Sequence, residues 1–245
     1  MSNPELLLPD WPVPARVMAA STTRIGGFSA GPYAGFNLGD HVGDDPAAVA
    51  RNRALLKSEL RLPREPAWLK QVHGTNVLEA PLAGVPDADA SWTRAPGQAC
   101  VVMAADCLPV LFCDDDATVV AAAHAGWRGL AAGVLEATVR ALPVAPQKLL
   151  AWIGPCIGRT AFQVGAEVRE TFVTPDAETA SAFTPDVAGK FRADLPALAR
   201  RRLAAAGVTR VHGGHFCTHT DAARFFSFRR DGATGRMAAL VWLKD

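Results

Sequence analysis

The stretch Ala104–Leu130 reads AADCLPVLFCDDDATVVAAAHAGWRGL. Cys107 closes one apolar run, VVMAAD, and His124 closes another, VVAAA. Each run has the length and composition of a buried strand. The polar cluster CDDDAT between them reads as a tight turn. Such a turn folds the strands back on one another and brings Cys107 and His124 to comparable depth. AGWRGLAAGVLEATVRAL follows and predicts a helix from about Trp127 to Leu142. A cysteine and a histidine at strand ends, beside a helix start, sit where a fold of alternating strands and helices keeps its site.

Upstream, residues 1–15 carry several prolines and read as an extended lead-in, and VMAASTTR reads as a strand. Residues 26–45 contain six glycines together with Tyr33, Phe28 and Phe36, which predicts a long but ordered loop. Asp45 then caps a helix with Pro46 at its first position, running to about Leu60. PAWLKQVHG is expected to bring a short strand to His73, with NVLEA continuing beyond it and DADASWTRAPG forming a strand edge and turn.

Downstream, KLLAWIGPCIG reads as a strand ending at Gly154-Pro155, VGAEVRETFV as a short helix and residues 174–190 as loop. Asp194 caps a second long helix with Pro196 in its first turn, and Gly207 closes it. VTRVHGG is a strand, and FFSFRR and RMAALVWLK flank DGATG as a predicted hairpin. Strands and helices alternate without a clean linker across all 245 residues. The expectation is one α/β domain over 1–245, a mixed β-sheet flanked by helices.

The formal net charge of +1 gives no general pull toward nucleic acid or membrane. No stretch is apolar and long enough to span a bilayer, and no secretory leader is apparent. Five cysteines without a CxxC pair argue for reduced thiols, hence a cytoplasmic setting.

His73, Cys107 and His124 form the sharpest chemical set. One thiolate and two imidazoles suit zinc, and three protein ligands leave a fourth position for water or substrate. Their separations, 34 and then 17 residues, match no finger or ribbon pattern. The alternatives are a buried thiol with two core histidines, or a Cys107–His124 nucleophile and base with Asp106 or Asp89 orienting the imidazole. Cys100 and Cys113 read as packing residues, while Cys156 and Cys217 are further candidates for a pocket wall. His212, His215 and His219 form a second possible metal cluster. Arg51, Arg128, Arg229 and Arg230, with Arg24 and Arg53, are candidates for an anion site, because guanidinium groups bind phosphate bidentately. Arg128 stands out at the expected helix start.

The ordered segments STTRIGGFS, FNLGDHVGDDPAAVARNR, QVHG, DADASWT, ADCLPVL, HAGWRGL, IGPCIG with FQVG, and CT followed by FFSFRRDGATGRM resemble the YfiH-like family. That family is also labelled multicopper polyphenol oxidoreductase (laccase) or peptidoglycan editing factor. The resemblance implies a single α/β domain with zinc, rather than copper, held by His73, Cys107 and His124. It implies phosphorolysis of purine nucleosides to the base and ribose 1-phosphate, with adenosine deamination and methylthioadenosine phosphorolysis beside it. Arg51, Arg128, Arg229 and Arg230 are then expected to serve substrate or phosphate. Small molecules are the expected partners of a monomer or weak homodimer. The alternatives are a Cys–His amidase editing peptidoglycan precursors and a polyphenol oxidase. Phe162-Gln163 departs from the Tyr-Glu of many relatives.

Overall fold

A computed structural model describes residues 3–187 and 189–244. Positions 1 and 2 of the expected lead-in, position 188 of the expected loop and position 245 lie outside the described residues.

In chain order the regular elements begin with β1 (Leu6–Leu7), β2 (Val17–Thr22) and α1 (Pro46–Glu59). Next come β3 (Val77–Glu79), β4 (Ala90–Thr93), β5 (Cys100–Ala104), β6 (Leu108–Asp114) and β7 (Val120–Ala125). Helices α2 (Trp127–Ala132) and α3 (Val134–Ala141) lead to β8 (Leu149–Ile153), β9 (Gln163–Gly165) and α4 (Ala166–Val173). The chain continues through β10 (Phe183–Pro185), β11 (Lys190–Ala193), α5 (Leu195–Ala205), β12 (Arg210–Gly213), α6 (Phe228–Asp231) and β13 (Met237–Leu243).

The described residues form three sheets. Their orders are β1-β2-β13-β5, β10-β11-β9 and β12-β8-β6-β7-β4-β3. Both parallel and antiparallel pairs occur in the six-stranded sheet, which is therefore mixed. Side-chain alternation along each strand explains the layering. Cys100, Val102, Ala239 and Val241 meet Leu111, Cys113, Val120, Ala122, Leu150 and Trp152 in one core between the four- and six-stranded sheets. The intervening residues Val101, Met103, Leu240 and Trp242 face away, onto Leu56 of α1 with Phe36 and Leu38. On the far side, Val110, Phe112, Ala121, Ala123 and Ile153 pack under Leu135 and Val139 of α3 and Leu198 and Leu203 of α5. The layers thus run helix, sheet, sheet, helix. Strands apolar on both faces read as continuous apolar runs for this reason.

Several expected elements change. The turn after Cys113 does join two strands, but they are β6 and β7, paired from Cys113↔Val120 to Leu108↔Ala125. Asp114 holds that turn by accepting from the Thr118 amide, the Thr118 hydroxyl and the Val119 amide at 2.7, 2.6 and 3.0 Å. VVMAA instead enters the four-stranded sheet as β5, beside β13. The chain crosses between sheets at Ala105-Asp106-Cys107, where Asp106 has φ 93°.

FFSFRR forms no hairpin with β13, whose two edges are taken by β2 and β5. Phe225 and Phe226 are buried, and Ser227 caps the short α6 by accepting from the Arg230 amide. The expected helix 127–142 breaks at Gly133, whose φ of 99° ends α2 and starts α3. PAWLKQVHG makes only isolated bridges, Ala67↔Cys100 and Lys70↔Asp87. The lead-in contributes β1, and 174–190 contains β10 after a 3-10 turn, Ala177–Ala182.

The two capped helices and the ordered loop match the sequence expectation. Asp45 caps α1 by accepting from the Ala47 amide, with Pro46 at its first position, and Asp194 caps α5. The glycine-rich loop is ordered: the buried Asn52 side chain accepts from the Phe28 amide and donates to Ser29 Oγ and the Asn37 carbonyl.

Candidate functional site

His73, Cys107 and His124 converge at one end of the two facing sheets. His124 lies opposite Pro109 in the β6–β7 ladder, and Cys107 is the residue just before β6. Positions 107, 109, 111 and 113 share one face of β6, as 120, 122 and 124 share one face of β7. That face is the one between the sheets, so thiol and imidazole project together at its open end.

The Cys107 Sγ to His73 Nε2 distance is 3.6 Å. The two imidazole centroids lie 4.8 Å apart at 75°. Candidate ligand atoms from all three residues fall within 4.8 Å of one another. Nitrogen and sulfur ligands around a tetrahedral zinc, at about 2.0–2.3 Å from the ion, sit roughly 3.5 Å apart. The set therefore needs only small side-chain adjustment to close on one ion. Burial is graded: His124 is buried, Cys107 half-buried and His73 exposed. Such a gradient leaves an approach for a fourth ligand from the His73 side.

Asp89 is the hub behind the group. Its carboxylate accepts from the Val72, His73 and Gly74 amides at 3.2, 2.9 and 2.6 Å. It also meets His124 Nδ1 at 2.9 Å, while its own carbonyl accepts from the His124 amide at 2.7 Å. One buried carboxylate thus shapes the His73 loop and orients the second imidazole, leaving Nε2 toward the thiol. A carboxylate at Nδ1 fixes the imidazole's tautomer and orientation. Burial alone would raise the Asp89 pKa, but hydrogen bonds from His124, Gly74 and His73 outweigh it and hold the carboxyl below its ordinary range.

Gln71 pins the same loop from the other side. Its amide donates to the Met103 carbonyl and accepts from the Met103 amide, both at 2.7 Å, imitating a strand partner at the end of β5. His73 itself takes φ 61°, so this exposed imidazole sits on a backbone conformation that its surroundings must hold.

Gly126, the residue before α2, completes the cradle. A Cβ there would lie 2.7 Å from His73 Cδ2 and 2.9 Å from Cys107 Sγ. The glycine of HAGWRG thus leaves room for the His73 and Cys107 side chains.

Burial would push the Cys107 thiol up, yet the charge and hydrogen bonds of His124 and His73 bring it down to about 6. Burial likewise opposes protonation of His124, but the thiolate and Asp89 raise its pKa. Cys100 and Cys113 contrast with this: burial pushes both thiols up to about 12, in keeping with their packing role.

The other sequence candidates disperse. Asp106 turns away from the imidazoles, accepting from Thr218 Oγ1 and from the Arg229 amide, each at 2.6 Å. Asp89, not Asp106, therefore orients His124. His212 pairs opposite Trp152 in β12, His215 stacks beside Phe216 and His219 lines a separate cavity. Among the described residues these three form no metal-capable group. Cys156 and Cys217 face each other across an isolated bridge, and Cys217 Sγ accepts from the Gly158 amide at 3.2 Å. Arg51 lies over the Phe28 ring at 3.9 Å and Arg128 over Trp127 at 4.4 Å. Arg24 covers Phe226, and Arg53 covers Trp68 and pairs with Asp40. Arg230 is spent on the carbonyls of Thr218, His219 and Phe225 and on Asp231. Arg229 lines the His219 cavity.

Arg236 escaped the sequence reading. Burial lowers its pKa, while the nearby charges of Cys107 and Asp106 act in the opposite sense. Its guanidinium donates to the Thr234 and Gly235 carbonyls, and no described carboxylate pairs with it. Its position in GRM, directly before a strand whose first residue pairs with Ala104, was the available signal.

Comparison with known proteins follows the same outline. The family model described as multi-copper polyphenol oxidoreductase laccase matches residues 18–244. A Pseudomonas aeruginosa protein named purine nucleoside phosphorylase is 60% identical over 240 residues, 98% of each chain. The Escherichia coli K12 protein named purine nucleoside phosphorylase YfiH is 53% identical over 243 residues, 98% of this chain and 99% of that one. A crystal structure of a Neisseria meningitidis protein superposes with a TM-score of 0.96 at 53% identity, covering 100% of both chains. That of YlmD from Geobacillus stearothermophilus gives 0.88 at 32% identity, covering 94% of this chain and 93% of the other. With its motifs, its layered fold and its whole length shared with these proteins, the chain belongs to the YfiH family of laccase-labelled proteins.

Proposed function

We propose that this protein is a zinc-dependent purine nucleoside phosphorylase, converting nucleoside and phosphate to purine base and ribose 1-phosphate. The observation that carries the reading is the His73–Cys107–His124 group, built into a chain 60% identical over 98% of its length to a relative named for that activity. His73, Cys107 and His124 hold the metal, and zinc fits the nitrogen–sulfur donor set better than copper does. A bound zinc supplies Lewis acidity and an open coordination position. Cys107 enters as thiolate, Asp89 keeps the His124 imidazole in its ligating tautomer, and Gly126 keeps the space clear. Adenosine deamination and methylthioadenosine phosphorolysis belong to the same reading, and for deamination zinc held by His73, Cys107 and His124 would supply the Lewis acidity.

The partners are small molecules, with neither nucleic acid nor membrane required. No helix among the described residues is long and apolar enough to cross a membrane. A cytoplasmic monomer or weak homodimer suits the reduced thiols and modest charge.

The test is inosine and adenosine turnover with and without phosphate, alongside metal analysis. Base release that requires phosphate, with about one zinc per chain, supports the reading. Full activity after chelation sinks it. One observation favours a second reading: the lowered Cys107 thiol, the raised His124 and the orienting Asp89 have the form of a cysteine hydrolase triad. An amidase of that type works without metal and traps a substrate-like electrophile on Cys107.

A further inference from the structure

Next to the crossing that carries Cys107 lies a cavity of about 470 Å³, lined by Thr160, Gln163, Arg192, His219, Thr220 and Arg229 among others. Its lining includes two arginines, a histidine and two threonines, and the Asp186 carboxylate bonds both Arg192 and Gln163 of that lining. Arg192 is matched by Asp186 at 2.6 Å and donates to the Thr160 carbonyl at 3.0 Å. Arg229 is not matched. Its NH1 donates to the Gln163 carbonyl at 2.8 Å, its guanidinium lies 5.3 Å from the Phe162 ring centroid, and no described carboxylate pairs with its side chain. One wall of the cavity therefore carries an unneutralised cation beside hydroxyl and imidazole groups. A phosphate dianion answers that arrangement with charge and with several acceptor oxygens.

The cavity is mechanically tied to the metal-capable group through a single residue. Asp106 accepts from the Arg229 amide with one carboxylate oxygen and from Thr218 with the other, both at 2.6 Å. Thr218 leads directly into His219 and Thr220, and Asp106 leads directly into Cys107. The cationic wall and the thiol are thus held by neighbouring residues of one crossing.

Resting on the phosphorolysis reading, we propose that this cavity is the phosphate subsite, with Arg229 as its anchor and His219 and Thr220 completing the shell. In the reaction an oxygen of hydrogenphosphate bonds to the ribose C1′ as the C1′–N9 bond breaks. The electron pair leaves with the purine, and the proton carried by the hydrogenphosphate ends on the base. Arg51 and Arg128 are then not the anion's ligands.

The test is calorimetric titration of the full, metal-containing protein with inorganic phosphate in the absence of nucleoside. Wild type should bind, and Arg229→Gln should bind at least about tenfold more weakly, with zinc content and the circular dichroism spectrum unchanged. His219→Gln should weaken binding too, and it carries the test alone if Arg229→Gln fails to fold. No binding by wild type, or wild-type affinity in both variants, overturns the proposal. Phosphate binding that depends on Arg229, without phosphate-dependent release of base, keeps the subsite and removes phosphorolysis. Phosphate-dependent turnover with an unchanged phosphate KM in Arg229→Gln keeps phosphorolysis and removes the subsite.

Discussion

Asp89 takes hydrogen bonds from three successive loop amides and from one imidazole, so replacing it tests several functions of a single side chain. In Asp89→Asn the amide no longer accepts all of these bonds, and the orientation of His124 is lost. Metal affinity should fall by about 10–100-fold, the usual effect of removing a partner behind a ligating histidine, measured by competition with a chromophoric chelator. The sign of the pH effect follows from the lowered Asp89 pKa. A carboxyl held below its unfolded value stabilises fully above that value, and the contribution disappears as pH falls through the native one. The stability gap between wild type and Asp89→Asn should therefore be widest near neutrality and narrow in acid. A gap that widens in acid contradicts the assignment.

At the same scale, metal-free protein should alkylate at Cys107 well before Cys100 or Cys113. Its thiol sits near 6 while the other two are pushed up to about 12. The labelling rate should rise through about pH 6 and then level off, instead of rising toward 9, and bound zinc should suppress it. Mass spectrometry of the labelled peptides over a pH series decides this.

At the scale of elements, the half-buried Gln71 and the buried Asp114 hold turns by similar hydrogen bonds yet differ in what they position. Gln71 fastens the His73 loop to the end of β5, and Asp114 fastens the β6–β7 turn at the opposite end of those strands. Gln71→Ala and Asp114→Ala each leave backbone groups without partners, at a cost of about 1–3 kcal/mol. Both should lower the melting temperature, but only Gln71→Ala should also lower zinc content and turnover. Equal zinc content in the two variants would refute the loop's role.

What the sequence made legible divides along the same line. Asp45-Pro46, the Asp194 cap and the apolar runs state their structure locally, through capping chemistry and periodicity. VVMAAD reads as the partner of VVAAA but pairs with β13, because runs apolar on both faces do not record which sheet they enter. The fate of FFSFRR was hidden for another reason: its amides are claimed by Ser227 and by Asp106, a residue 123 positions away from Arg229. The metal-capable triad is legible from its residue types, Cys107 and His124 lying at strand ends and His73 on a loop. The sequence offers both Asp89 and Asp106 as the orienting acid and gives no sign of Gln71 or Gly126 as site residues, because their work is defined by contacts across the fold.

At the scale of the whole molecule, the question is whether the metal holds the fold or only uses it. The three large apolar clusters are closed without the His73–Cys107–His124 group, none of whose members belongs to them. Leu108, Phe112, Leu130 and Leu135 are fully buried in the largest one, and each side chain so buried contributes about 1.5–3 kcal/mol. The group sits at the open end of the facing sheets, with Asp89 and Gln71 shaping it from within the protein. Small metallo-domains unfold on chelation because they lack such cores. Here chelation should abolish turnover while the far-ultraviolet circular dichroism stays native and melting stays cooperative. The melting temperature should drop by the linkage contribution of the lost ligand, roughly 2–4 °C for each kcal/mol in a chain of this size. Gly126→Ala should reproduce that state without a chelator, because its Cβ would lie 2.9 Å from Cys107 Sγ and close to His73 while every apolar cluster remains intact. A metal-free protein that loses its secondary structure would instead identify a metal-stabilised binding module, in which the ion serves the fold and the phosphorolysis reading loses its foundation.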